Sequence, residues 1–207
     1  MKVLIINGSP RADGNSSIVV KEAVGIFDKE GVESEVYELG VRAVRGCVAC
    51  GYCHTHGRCA FDDGVNDLAE KLAESDGLMI VSPVYYGSAN GSLVSLLDRL
   101  FNSSRCDKRM KVGAAFAVAR RGGTTATFDE LNKYFTISQM PVASGRYWNN
   151  GFGRDKGEIE EDAEGLQNVR VVARNMVFLM RAIAKEKAVS GLPEQERQYF
   201  TSFPDGK

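Results

Sequence analysis

The sequence predicts an α/β fold: a doubly wound, five-stranded parallel sheet in the order 2-1-3-4-5 with helices on both faces. Two observations carry the prediction. Short apolar, β-branched runs alternate along the chain with longer segments whose apolar residues recur at helical spacing. Parallel neighbours need a crossover, and crossover helices hide the sheet, so strands separated by helices call for a parallel sheet covered on both faces.

Val3-Leu-Ile-Ile6 is the first strand. After the turn residues Asn7 to Asn15, Ile18, Val19, Ala23, Val24 and Phe27 mark the first helix. Val32 to Leu39 reads as the second strand, Val65 to Ala73 as a helix capped by Asp62 or Asp63, and Gly77 to Val81 as the third strand. Leu93, Leu96, Leu97 and Leu100 place a helix over Leu93 to Phe101. Val112 to Val118 is a buried strand, Phe128 to Phe135 a helix, and Met140 to Ala143 a short fifth strand. The last helix, roughly Glu161 to Glu186, opens on Glu160, Glu161, Asp162 and Glu164 and closes on Arg181, Lys185 and Lys187, a gradient that matches the helix dipole.

A length of 207 residues with 43% hydrophobic content suits one core, and no linker or repeat divides the chain, so residues 1–207 read as a single domain. Net charge is −1 from 26 basic and 27 acidic residues without a long run of either sign, which argues against a nucleic-acid or anionic-membrane partner. The opening apolar stretch is too short for a signal peptide and nothing approaches a membrane-spanning run, so the expected location is the cytoplasm. In that reducing compartment clustered cysteines are metal ligands or redox groups rather than disulfides.

In an open parallel sheet, ligands bind beyond the carboxyl ends of the strands, near the point where strand order reverses. Beyond the first strand lies Asn7-Gly-Ser-Pro-Arg-Ala-Asp-Gly-Asn-Ser-Ser17, leading into a helix N-terminus. Backbone amides, the helix dipole, Ser9, Asn15, Ser16, Ser17 and the charge of Arg11 suit a phosphate. Gly8 and Gly14 fit neither the Walker A loop nor G-x-G-x-x-G, so a mononucleotide is preferred to ATP or a tightly held dinucleotide. Beyond the third strand, Ser82-Pro-Val-Tyr-Tyr-Gly-Ser-Ala-Asn-Gly91 can lie along a flat ring, with Tyr85 or Tyr86 packing nearby; adjacent tyrosines more often cover a core edge. Beyond the fourth strand comes Ala119-Arg-Arg-Gly-Gly123, which by itself is a basic turn. Three such loops on one edge are a stronger signal than any one of them.

Four of the five cysteines fall within thirteen residues, at Cys47, Cys50, Cys53 and Cys59, in a loop taken as residues 46–63. Spacings of two intervening residues let thiolates converge, and four thiolates are the usual complement of an iron-sulfur cluster or a structural zinc. His54 and His56 keep zinc open, a C-x-x-C redox pair is a third reading, and an empty loop a fourth. The cluster is favoured, because three close cysteines and a fourth match ferredoxin ligation better than zinc-finger ligation. Because the loop follows the second strand, it is expected at the same edge as the three polar loops.

Gly8-Ser-Pro-Arg-Ala-Asp-Gly-Asn-Ser16, Ser82-Pro-Val-Tyr-Tyr-Gly-Ser88 and Ala119-Arg-Arg-Gly-Gly123 resemble the FMN-binding loops of NADPH-dependent FMN reductases. With the four cysteines added, the chain is similar to the iron-sulfur flavoprotein branch of that family. Trp148 to Gly165 and Tyr199-Phe-Thr-Ser-Phe203 share the likeness, which thus spans almost the whole chain. Tyr86 stands where many relatives carry phenylalanine and Gly64 where methionine is common.

The resemblance implies a flavodoxin-like fold, noncovalent FMN, and homo-oligomers, dimeric or tetrameric, that bring flavins and clusters of different subunits together. It maps Ser9, Arg11, Asn15, Ser16 and Ser17 to the phosphate, and Pro83, Val84, Tyr85, Tyr86, Gly87, Ser88, Arg120, Arg121, Gly122 and Gly123 to the flavin ring. It makes Cys47, Cys50, Cys53 and Cys59 ligands of a [4Fe-4S] cluster that exchanges electrons with FMN. The chemistry belongs to the cofactors, so no side chain is assigned as a catalytic group. Two classes of function remain: an electron-transfer module serving a ferredoxin-like partner, or an NAD(P)H-dependent reductase of flavin, quinone or another small acceptor whose cysteine loop is empty or zinc-bound. Tyr199, Phe200, Phe203 and Pro204, in a tail at residues 191–207, suggest a subunit contact. Cys106 reads as a structural residue at a helix end.

Overall fold

The computed structural model describes residues 1–199. Strand β1, Lys2–Asn7, feeds helix α1, Asn15–Lys29, which crosses to β2, Glu33–Glu38. A long connection holding the short helix α2, Tyr52–His56, then leads to α3, Val65–Glu74, and β3, Gly77–Tyr85. A two-residue strand β4, Ser88–Ala89, folds back on β3 before α4, Gly91–Ser103, β5, Val112–Ala119, and α5, Thr124–Ile137. β6, Asn150–Phe152, a 3-10 turn at Glu158–Glu161 and α6, Ala163–Ser190, complete the described chain. The main sheet runs β2-β1-β3-β5-β6, all parallel, so with β4 set aside its strands follow the order 2-1-3-4-5 that the alternation predicts.

The central strands β1, β3 and β5 are buried along most of their length, and their two faces feed two cores. On one face Val3, Ile5, Met79, Val81 and Phe116 pack against α1 and α6; on the other Leu4, Ile6, Leu78, Ile80 and Ala115 pack against α3, α4 and α5. No helix of the described residues is long and apolar enough to cross a membrane.

Three expectations are corrected. The fifth strand is Asn150–Phe152, not Met140–Ala143; the latter touches the sheet only through a single parallel bridge between Val142 and Gly113. Three ladder pairs, from Ala117↔Asn150 to Ala119↔Phe152, fix the true edge strand. Helix α3 is capped by Gly64 in a left-handed conformation rather than by Asp62 or Asp63. The last helix starts later and runs further than expected, with Asp162 as its cap accepting from the Gly165 amide at 2.9 Å. Of the tail residues expected at a subunit contact, Phe200, Phe203 and Pro204 lie outside the described residues.

Candidate functional site

The three polar loops do meet at the carboxyl edge. Asn7, the last residue of β1, holds the first loop from inside: its side-chain oxygen accepts from the Ser9 amide at 3.1 Å and its amide group donates to Ser17 Oγ at 3.2 Å. Ser17 Oγ donates in turn to the Ala12 carbonyl at 2.8 Å, and Ser9 Oγ accepts from the Arg11 amide at 3.1 Å. Asn90, the cap of α4, donates to the Gly8 carbonyl at 2.6 Å and ties this loop to the one beyond β3. Gly8 is required there, because a Cβ would lie 2.5 Å from Leu93 Cδ2. At the start of α1 the cap is Gly14, with no side chain bonded to the first amides; the Ser17 amide donates to the Gly14 carbonyl at 3.0 Å, and the amides before it suit a ligand. Ser9, Ser16 and Ser17 are buried at the base of the loop, whereas Arg11 is exposed at its rim.

Asn15 has another task. It donates to the Asp155 carbonyl at 3.0 Å and accepts from the Gly157 amide at 3.0 Å, so it fastens the loop after β6 to the first turn of α1.

Tyr86 and Gly87 both have positive φ, 51° and 78°, as the two-residue turn of the β3–β4 hairpin requires. Tyr85 and Tyr86 are exposed, Tyr86 fully, while Pro83 and Val84 are half-buried. Ser88 turns away from this edge: with the Ala89 amide it donates to Glu130 on α5, at 2.7 and 2.8 Å. Gly123 packs on the hairpin so closely that a Cβ would sit 2.7 Å from Gly87 Cα. Arg120, Arg121 and Gly122 are exposed beside it. Together these loops form an edge of backbone donors, hydroxyls, one flanking aromatic hairpin and three arginines, which fits a phosphate joined to a flat ring.

The cysteine loop leaves that same edge but its thiols do not stay there. It drapes along α4 and, with the end of α5, encloses a cavity of about 700 Å³ lined by Cys47, Cys50, Cys53 and Cys59 together with His54, Phe61, Phe101 and Tyr134. Cys59 contacts Arg99 and Cys53 contacts Asn102, eight and eleven positions into α4, about 12 to 16 Å from its start at the carboxyl edge. Among the described residues no three His, Cys, Asp or Glu side chains are grouped closely enough to hold a metal ion. His56 is engaged elsewhere, stacked on Tyr52 with ring centroids 3.8 Å apart.

Sequence reasoning missed the groups that surround these thiols. Arg99, 2% exposed, directs Nε and Nη2 at Cys59 Sγ, at 3.4 and 3.3 Å, and forms a forked pair with Asp63 at 2.5 and 2.8 Å. The guanidinium holds the Asp63 carboxyl below its usual range. Asn102 Nδ2 donates to Cys53 Sγ at 3.4 Å, and Arg105 donates to the Cys53 and His54 carbonyls at 2.8 and 2.6 Å. On the cavity wall Tyr134 donates to Asp98 at 2.6 Å, and burial pushes the phenol well above its usual range. Cys106 lies apart from the other thiols, with its sulfur 3.2 Å from Ser104 Oγ.

Comparison with known proteins settles the family. Residues 1–155 match the NADPH-dependent FMN reductase model. An iron-sulfur flavoprotein of Methanocaldococcus jannaschii is 33% identical over 89% of this chain and all of its own length. The chain belongs to the NADPH-dependent FMN reductase family, in its iron-sulfur flavoprotein branch. An iron-sulfur flavoprotein of Methanosarcina thermophila is 30% identical over 90% of this chain and 99% of its own. A more distant relative, an NADPH azoreductase of a Bacillus species, is 27% identical over 80% and 86% of the two chains. Solved structures support the fold: RosB with a bound 8-demethyl-8-formylriboflavin-5'-phosphate superposes with a TM-score of 0.71 at 17% identity over 99% of this chain and 92% of its own. A flavodoxin from the domain Archaea gives 0.54 at 13% identity over 84% and 99%. The chain is thus a flavodoxin-like FMN-dependent oxidoreductase.

Proposed function

We propose that the chain is an electron-transfer flavoprotein in which Cys47, Cys50, Cys53 and Cys59 hold one [4Fe-4S] cluster that exchanges electrons with FMN on the carboxyl edge. One observation carries this reading: all four cysteines line a single cavity, with N–H donors of Arg99 and Asn102 directed at two of the sulfurs. Cluster thiolates carry negative charge and accept such bonds, so the chemistry of the four donors and of the groups around them suits the cluster, which would have to draw together side chains that stand apart among the described residues. The names of the iron-sulfur flavoprotein relatives point the same way.

FMN, when bound, supplies a ring that takes up two electrons and can release them singly. This chain's residues seat it. The amides at the start of α1, Ser9, Ser16, Ser17 and Arg11 would oppose the phosphate, while residues 83–87 and 120–123 would lie along the ring, with Ser88 bracing the hairpin through Glu130. The cysteine cavity is about 12 to 16 Å along α4 from this edge, which favours exchange between subunits of a homodimer or homotetramer. NAD(P)H or a ferredoxin-like protein is the proposed electron donor, a small molecule the acceptor, and the cytoplasm the location.

The test is anaerobic purification followed by visible spectroscopy and assays of iron and acid-labile sulfide. About four of each per chain are expected, beside one FMN. Stoichiometric zinc, or no metal, in a protein that still reduces FMN with NAD(P)H would replace this reading with a simple flavin or quinone reductase.

A further inference from the structure

Resting on the reading that the four cysteines hold a cluster, we propose that Arg99 is a positioning residue that raises the cluster's reduction potential through hydrogen bonds to the sulfur of Cys59, and that Asp63 opposes it. Arg99 lies on α4 among the core leucines Leu96, Leu97 and Leu100, with its side chain 1% exposed. A charge placed there carries a large desolvation cost, and an aliphatic side chain of similar volume would pack as well without it.

The donors show where the charge is used. Nη1 serves Asp63 Oδ2 at 2.5 Å and the Arg45 carbonyl at 3.3 Å; Nη2 serves Asp63 Oδ1 at 2.8 Å and the Phe61 carbonyl at 3.1 Å. These four contacts pin both ends of the cysteine loop to α4. Nε takes no part in that pinning: its partner is Cys59 Sγ at 3.4 Å, and Nη2 adds a second contact to the same sulfur at 3.3 Å. N–H donors at a ligand sulfur and the net charge around it are what a protein uses to set a cluster's potential. Adding one electron adds one negative charge, which the guanidinium stabilises and the Asp63 carboxylate disfavours.

The two side chains therefore act with opposite sign, and a purely structural clamp would not. The test is a dithionite titration of anaerobically prepared holoprotein, with the cluster read by electron paramagnetic resonance and FMN by its visible absorbance. Arg99→Met is expected to shift the cluster midpoint to more negative potential and Asp63→Asn to more positive potential. Arg99→Lys, which keeps the charge without the fork, is expected to fall between wild type and Arg99→Met, and the FMN midpoint to stay at its wild-type value in all three. Should Arg99→Met come without its cluster, Asp63→Asn decides alone. Midpoints equal to wild type, shifts of the same sign in Arg99→Met and Asp63→Asn, or a parallel movement of the FMN midpoint would overturn the proposal. Wild type lacking iron and sulfide would instead remove the underlying reading, so the two failures are distinguishable.

Discussion

Gly123 shows how much of the proposed flavin edge depends on single residues. Its φ of +91° is one that L side chains rarely adopt, and a Cβ would lie 2.7 Å from Gly87 Cα and 2.9 Å from Val84 Cγ1. Gly123→Ala is therefore expected to cost roughly 1 to 3 kcal/mol in backbone strain and to push the basic loop off the β3–β4 hairpin. Thermal unfolding and flavin release check this together: both stability and FMN retention fall, while Gly122→Ala, with open space around it, keeps the wild-type unfolding temperature. At the other end of the ligand, Arg11→Ala is expected to weaken FMN binding about tenfold, the worth of a hydrogen bond to a charged group, with the fold intact. Unchanged flavin retention would remove Arg11 from the phosphate site. The glycines, serines and cysteines were legible in the sequence because each motif is local. Arg99, Asn102 and Asn90 were not, because their partners lie 40, 49 and 82 residues away. An arginine between leucines on an amphipathic helix gives no sign that it turns inward, and nothing local to Asn15 shows that it also fastens the loop 140 residues on.

At the scale of elements, the long apolar strands and leucine-rich α4 were legible because burial on both faces writes itself into composition. The fifth strand was not. Asn150-Gly-Phe152 carries no strand pattern and exists because the edge of β5 offers it partners, whereas the more apolar Met140-Pro-Val-Ala143 makes only one bridge. The α3 cap failed for a related reason: Asp63 is held by Arg99, leaving Gly64 to turn the chain. That pairing predicts a pH response of the cysteine loop. Arg99 depresses the folded-state pKa of Asp63 below its ordinary 3.8, so the clamp's contribution is fully present above that value and is lost as pH falls through the lower, folded one. Pepsin cutting within residues 46–63, followed by mass spectrometry, is expected to rise steeply below about pH 4. Asp63→Asn, lacking the titrating group, is expected to show no such step, and an identical step in both proteins would contradict the assignment. Because the proposed flavin edge and the cysteine loop use separate elements, Cys50→Ser is expected to lose the proposed cluster's iron while retaining FMN, and Cys106→Ser to retain both.

For the whole molecule the separation of the two sites is the main constraint. The proposed flavin edge and the cysteine cavity lie at different points along α4, and the cavity is lined at the surface by Val48 and Ile137, the latter 84% exposed. Tyr147, Trp148 and Phe152 form a second exposed apolar group beside β6. Exposed apolar patches of this kind mark contacts, and a second copy of the chain could cover one patch while bringing a cysteine cavity toward another copy's flavin edge. A homodimer or homotetramer is accordingly expected in sedimentation at micromolar concentration. Ile137→Glu separates assembly from folding: on an exposed helix end it should change monomer stability by no more than about 0.5 kcal/mol. Buried in a subunit contact, the same carboxylate would be left unpaired at a cost large enough to dissociate the assembly. The expected outcome is a smaller sedimenting species that keeps FMN and its unfolding temperature but passes electrons between flavin and cluster more slowly in stopped-flow measurements. A monomeric wild type would return the two sites to a single subunit, and an Ile137→Glu protein with unchanged assembly and unchanged electron exchange would place the contact elsewhere.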